Sequence, residues 1–166
     1  YIYSGPTAGH AFARVRGKHP KRVVLLDCSH RYAIDTASVF TVGEFDTPLG
    51  PFPIDEAFAK ELAAALESVS VGPHLMEHSL EVQLPFLQSV LSDFTLLPLA
   101  VGMATAEEVA EVLEILWGGE ETLIVISSDL SHYLPYSTAQ RVDNETAQSI
   151  LKLRQPIAHD QACGGT

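Results

Sequence analysis

Residues 122–133 read Thr-Leu-Ile-Val-Ile-Ser-Ser-Asp-Leu-Ser-His-Tyr, and the fold is decided there. Leu123, Ile124, Val125 and Ile126 form an unbroken aliphatic run that gives way at once to Ser127, Ser128, Asp129, Ser131 and His132. A strand apolar on both faces has to be covered on both faces, as strands are in a parallel sheet flanked by helices. Loops leaving the carboxyl ends of such strands line the ligand crevice, so Asp129 and His132 stand where an α/β protein carries chemistry. Val23-Val24-Leu25-Leu26 repeats the pattern more weakly and ends in Asp27, Cys28, Ser29 and His30. Two strands that each release a carboxylate, a serine and a histidine can converge on one crevice. The competing reading is that Asp129 and His132 merely cap the following helix.

Working outward, 166 residues fit one domain with a substantial core. Hydrophobic residues make up 46% and charged residues 19%, a globular composition. The formal charge is −11, from 21 acidic and 10 basic residues. Such a surface repels phosphate backbones and anionic lipid, which argues against a nucleic-acid or membrane partner. The one basic cluster, Lys18, Lys21 and Arg22, is too small for a nucleic-acid footprint. With no apolar run of membrane-span length and no signal-peptide pattern, the expected location is cytoplasmic. Cys28 and Cys163 then read as thiols or ligands, with a pairing between them left open. The missing initiator Met and the terminal Ala162-Cys163-Gly164-Gly165-Thr166 suggest a single domain, 1–166, truncated at both ends.

Between these landmarks, Ala8, Ala11, Phe12 and Val15 predict a short helix, and residues 22–26 a strand. Ser38–Val42 and Glu44–Pro53, alternating and punctuated by Pro and Gly, predict exposed antiparallel strands over the sheet edge rather than another core strand. Asp55 opens a helix with Ile54, Ala57, Phe58, Leu62, Ala65 and Leu66 on one face and Glu56, Lys60, Glu61 and Glu67 on the other. Leu80, Leu84, Leu87 and Leu91 share a helical stripe, with His78 and Glu81 three apart beside it. Pro85 either kinks that helix or sits in its first turn. Residues 94–101 read as a strand whose Pro98 calls for an edge or a bulge. Thr105 and Glu108 form a capping box ahead of Val109, Val112, Leu113 and Leu116, and Thr138–Leu153 is a last amphipathic helix. The expected architecture is a layered α/β/α sandwich with a mostly parallel sheet. The chain has no phosphate-binding glycine loop and no Gly-x-Ser-x-Gly elbow.

Three motifs, Glu77-His78-Ser79-Leu80-Glu81-Val82-Gln83-Leu84-Pro85-Phe86-Leu87, Ser127-Ser128-Asp129-Leu130-Ser131-His132-Tyr133 and Ala162-Cys163-Gly164, resemble the MEMO family, whose prokaryotic members include the B component of the AmmeMemoRadiSam system. The resemblance covers nearly the whole chain. It implies a fold similar to the class III extradiol dioxygenases and a metal site built from two histidines and a cysteine. By position it assigns His30 and Cys163 as ligands, with the second histidine three residues before Tyr1. It places Asp129 and His132 in the family's pocket and matches His78 and Glu81 to its His-Ser-x-Glu pair, so these four are the candidate catalytic residues. Where the family has Gly-Pro before the serine and a second histidine after the ligand, this chain has Asp27, Cys28 and Arg31. The departure adds a thiol beside the expected site.

Imidazole and thiolate ligands favour Fe(II) or Cu, with Zn as a further candidate, and three protein ligands leave positions open for substrate or dioxygen. The first functional expectation is therefore a metal-dependent redox protein, an oxidoreductase resembling a dioxygenase. The alternatives are a non-catalytic module binding a phosphorylated peptide or other anion, and a zinc-dependent hydrolase. The system's AMMECR1-like and radical SAM proteins are the partners that the resemblance implies, beside an unidentified small-molecule or peptide ligand.

Overall fold

The computed structural model describes residues 1–66, 71–154, 157–158 and 161–163. Its centre is strand β1, Arg22–Cys28, whose five middle residues are all buried. Two further strands flank β1 in parallel: β5, Thr95–Val101, and β6, Thr122–Ile126. A short strand β2, Ala37–Val39, runs antiparallel to β5, so the sheet order is β2-β5-β1-β6. Strands β3, Glu44–Phe45, and β4, Phe52–Pro53, form a separate antiparallel pair.

Alternation along the strands divides the core into two layers. On one face Val23, Leu25, Leu96 and Ala100 pack with Phe12 and with Leu80, Leu84, Leu87 and Leu91. Phe12 belongs to helix α1, Gly5–Ala13, and stacks on Phe86 of α4, Leu84–Val90, at a centroid distance of 5.0 Å. On the other face Val24, Leu26, Leu97 and Leu99 pack with Leu62 of α2, Glu56–Ala65, and with Val112 and Leu116 of α5, Ala106–Leu116. Each fully buried leucine contributes about 1.5–3 kcal/mol relative to exposure. The remaining helices are α3, Gly72–Leu75, and α6, Tyr136–Leu151. This is the expected α/β sandwich with a mostly parallel sheet. Among the described residues no helix is long and apolar enough to cross a membrane.

Local signals hold where side chains cap the backbone. Asp55 accepts from the Phe58 N–H, and Thr105 and Glu108 make the reciprocal capping box that satisfies the free amides at the start of α5. Pro85 sits in the first turn of α4, behind a 3-10 turn at Glu81–Gln83, so the helix is not kinked. Glu67 lies outside the described residues.

Four expectations are corrected. The stretch 122–126 lies at the edge of the sheet and is half-buried, with Ile126 67% exposed, and β1 takes the central place. Ala37, Ser38 and Val39 are buried in the main sheet rather than in an exposed pair, which only residues 44–45 and 52–53 form. Pro98 lies in the interior strand β5, where its carbonyl accepts from the Phe40 N–H just as pairing with β2 ends at Val39. Its missing N–H faces that same gap, so the ladder to β1 is intact, with Pro98 opposite Leu25. Helix α6 begins near its predicted start, but Ile150 and Leu153 are exposed and Thr146 is its one buried residue.

Candidate functional site

Because β5, β1 and β6 are parallel and in register, Val101, Cys28 and Ile126 all leave the sheet at one edge. The exits are tied together: the Ser29 N–H donates to the Val101 carbonyl at 2.8 Å and the Ser127 N–H to the Leu26 carbonyl at 2.9 Å. Gly102 continues β5 against the loop at Ile34, where a Cβ would stand 2.1 Å from the Ile34 carbonyl oxygen, so only glycine lets the two backbones meet.

His30 is the residue that this edge holds most closely. Its Nδ1 lies 3.2 Å from Glu77 Oε1 and its Nε2 lies 2.8 Å from Cys163 Sγ. Glu77 is buried, at 6% exposure, and also accepts the backbone N–H groups of His30, His78 and Ser79. Desolvation pushes the Glu77 carboxyl up, but the His30 and Ser79 amides and the His30 ring outweigh it and hold the group below the usual carboxylate range. An ionised Glu77 keeps the proton on Nδ1, which leaves the Nε2 lone pair facing the Cys163 sulfur.

The sulfur is anchored in turn. The Cys163 N–H donates to the Asp129 carbonyl at 3.1 Å, and the Cys28 thiol donates to the Cys163 carbonyl at the same distance. Burial is the main force raising both thiols above their ordinary value, reinforced by the nearby Asp27 and Glu77 carboxylates. Asp27 is itself buried, which raises its carboxyl; Ser127 and the Cys28 amide at 2.6 Å act the other way.

Two cavities meet at the cysteines. One, about 380 Å³, is apolar and lined by Leu26, Val101, Val109, Ile126, Ile150 and Ile157. The other, about 630 Å³, is lined by His30, Arg31, Tyr32, Ile34, Met103 and Thr105. Cys28 and Cys163 border both.

The remaining candidates are less enclosed. Asp129 and His132 lie at the same edge with Oδ2 and Nε2 3.5 Å apart, 68% and 52% exposed. Asp129 borders a third cavity with Gln83, Ser127 and Ser128. Neither caps α6, whose N-cap is Pro135 with no side-chain cap. His78 and Glu81 form an exposed pair at 2.7 Å, joined to His30 through the neighbouring Glu77.

For a metal ion, the donors His30 Nε2 and Cys163 Sγ lie 2.8 Å apart and suit a borderline or soft ion. Among the described residues no group of three or more His, Cys, Asp or Glu is arranged to hold an ion. The residues present thus fit two positions of a coordination sphere. Glu77 and Asp27 received no role from the sequence. Asp27 had a signal, a carboxylate closing an aliphatic strand, whereas the burial of Glu77 depends on packing that no local pattern encodes.

A family model described as Memo-like protein matches residues 1–162. A MEMO1 family protein of Methanococcoides burtonii is 38% identical over 165 residues, 94% of this chain and 60% of that protein. Those of Metallosphaera sedula and Sulfolobus acidocaldarius are 34% and 35% identical, over 90% and 92% of this chain and 56% and 57% of their own lengths. The chain therefore spans less than two thirds of the relatives it matches.

Proposed function

The chain belongs to the Memo family, and from that premise we propose that it carries most of a metal-dependent redox site in which His30 and Cys163 are protein ligands. The observation that carries this reading is the aligned series of Glu77, His30 and Cys163, with contacts of 3.2 and 2.8 Å. A carboxylate on the far nitrogen of a histidine fixes its tautomer and raises its basicity, the arrangement that second-shell carboxylates impose on metal-bound histidines. The third ligand would be the histidine that the family motif puts upstream of Tyr1, and the ion Fe(II) or Cu. When bound, such an ion would supply one-electron redox chemistry, as the proposed kinship with class III extradiol dioxygenases implies.

This chain's own residues would do the rest. Glu77 orients His30, the 630 Å³ cavity beside His30 admits the substrate, and the 380 Å³ cavity gives the sulfur an aliphatic wall on its other side. His132, with Asp129 Oδ2 3.5 Å from its Nε2, is the acid or base that would move a proton at this sheet edge. Arg31 on the wall of the larger cavity supports a second reading, an anion-binding module without turnover.

Titrating Fe(II) or Cu(II) into this chain and into an N-terminally extended version tests the proposal. Binding should be weak in the first and tight in the second, and lost from the second on His30→Ala or Cys163→Ala. Equal tight binding by both forms would refute the upstream ligand. Phosphotyrosine binding by the metal-free protein, without metal uptake, would favour the second reading.

A further inference from the structure

Cys28 has no part in the proposed site, yet it stands against it. The Cys28 thiol donates to the Cys163 carbonyl at 3.1 Å, which brings the two cysteines into direct contact. Both cysteines are reduced and partly exposed, and both border the two cavities, so a small oxidant reaches either sulfur. Among the described residues, Cys163 also has a base at hand, His30 Nε2 at 2.8 Å. A thiol beside a base, with a second thiol close by, is the arrangement of an attacking and a resolving cysteine.

We infer that Cys28 and Cys163 form a reversible, peroxide-responsive disulfide pair whose closure withdraws Cys163 from the ion site. The withdrawal rests on the reading of Cys163 as a ligand; the disulfide does not. In the first step the Cys163 sulfur attacks one oxygen of hydrogen peroxide and the O–O bond breaks. His30 takes the thiol proton and passes it to the departing hydroxide, giving Cys163 sulfenic acid and one water. In the second step the Cys28 sulfur attacks the sulfenyl sulfur, the S–S bond forms and the S–O bond breaks. The hydroxide leaves with the Cys28 proton as a second water. Two thiols have lost two electrons and two protons, and the peroxide has been reduced to two waters. A thiol such as dithiothreitol reverses the change.

The experiment treats the reduced chain with a small excess of hydrogen peroxide, then follows free thiols, intact mass, and the Co²⁺–thiolate absorption of the N-terminally extended form. Expected are loss of both free thiols, a mass lower by two hydrogens in a monomeric species, loss of the Co²⁺ band, and recovery of all three on adding dithiothreitol. With Cys28→Ser the reduced protein should still give the Co²⁺ band. Peroxide should then carry Cys163 past the sulfenic acid, so that the band does not return. An intermolecular disulfide, retention of both thiols, or equal reversibility in Cys28→Ser would overturn the inference. A disulfide that leaves the Co²⁺ band intact would overturn the withdrawal. Absence of the band from the reduced extended protein would instead count against Cys163 as a ligand, while disulfide formation would still stand.

Discussion

Replacing Glu77 with Gln alters one atom and one charge at a buried polar point of the edge. The carboxylate accepts N–H groups from His30, His78 and Ser79 and faces His30 Nδ1. A carboxamide keeps one acceptor but sets an NH₂ against a backbone or ring N–H, leaving buried donors unpaired. Losing one charge-assisted hydrogen bond and stranding a donor should cost about 2–4 kcal/mol. For a chain of this length that is a fall in Tm of roughly 5–15 °C. The pH dependence has a fixed sign. Glu77 is held below its ordinary value of 4.5, so its stabilisation is complete above that pH and is lost as the pH falls through the lowered folded-state value. The gap between wild type and Glu77→Gln should therefore be full at neutral pH and shrink in acid below 4.5. Thermal unfolding by circular dichroism across that range measures it. ¹⁵N NMR of the His30 ring checks the second consequence, loss of a fixed Nδ1–H tautomer. An unchanged Tm at neutral pH together with an unchanged His30 tautomer would refute the argument that Glu77 orients the ring.

His74, buried in α3 with Nε2 3.2 Å from the Ser38 carbonyl, is lowered to about 4 from 6.5 by desolvation. The unfolded chain therefore binds its proton first, and stability present above pH 6.5 should be lost as the pH falls toward 4, by up to about 3 kcal/mol at 1.36 kcal/mol per pH unit; in urea titrations His74→Leu should flatten that slope. His132→Ala, at an exposed pair, should shift stability by less than about 0.5 kcal/mol. In the longer protein it and Asp129→Asn should nevertheless abolish turnover or ligand binding with metal content unchanged, and intact activity in both variants would remove them from the site.

Parallel strands with polar exits were legible because β1 and β6 are aliphatic on both faces and change character abruptly, and such a change marks the end of a strand whatever surrounds it. Centre and edge were not legible. The stretch 122–126 is the more uniformly apolar of the two strands, yet β1, which ends in Asp27 and Cys28, is the one paired on both sides. Pro98 misled for a related reason: a missing N–H matters only on the side where a neighbour needs it, and that side was unknown before β2 was placed. The contact of His30 with Cys163 followed from the family resemblance and not from spacing, since 133 positions separate them. Glu77 stood in plain view within a quoted motif, but an acidic residue announces its charge and not its burial.

Placing β1 at the middle of the sheet has a consequence for biosynthesis. Arg22 registers with Thr95 on one side and with Thr122 on the other, so Val23 to Leu26 leave the ribosome long before either partner exists. At ~5–20 residues per second the wait for both neighbours is roughly 5–20 s, far longer than the microseconds in which an apolar segment collapses. During that interval an unpaired aliphatic strand is open to association with other chains, held in check by Lys18, Lys21 and Arg22 just ahead of it. The position that lets β1 deliver His30 to the sheet edge thus also makes the nascent chain dependent on whatever shields β1 until both of its neighbours are made.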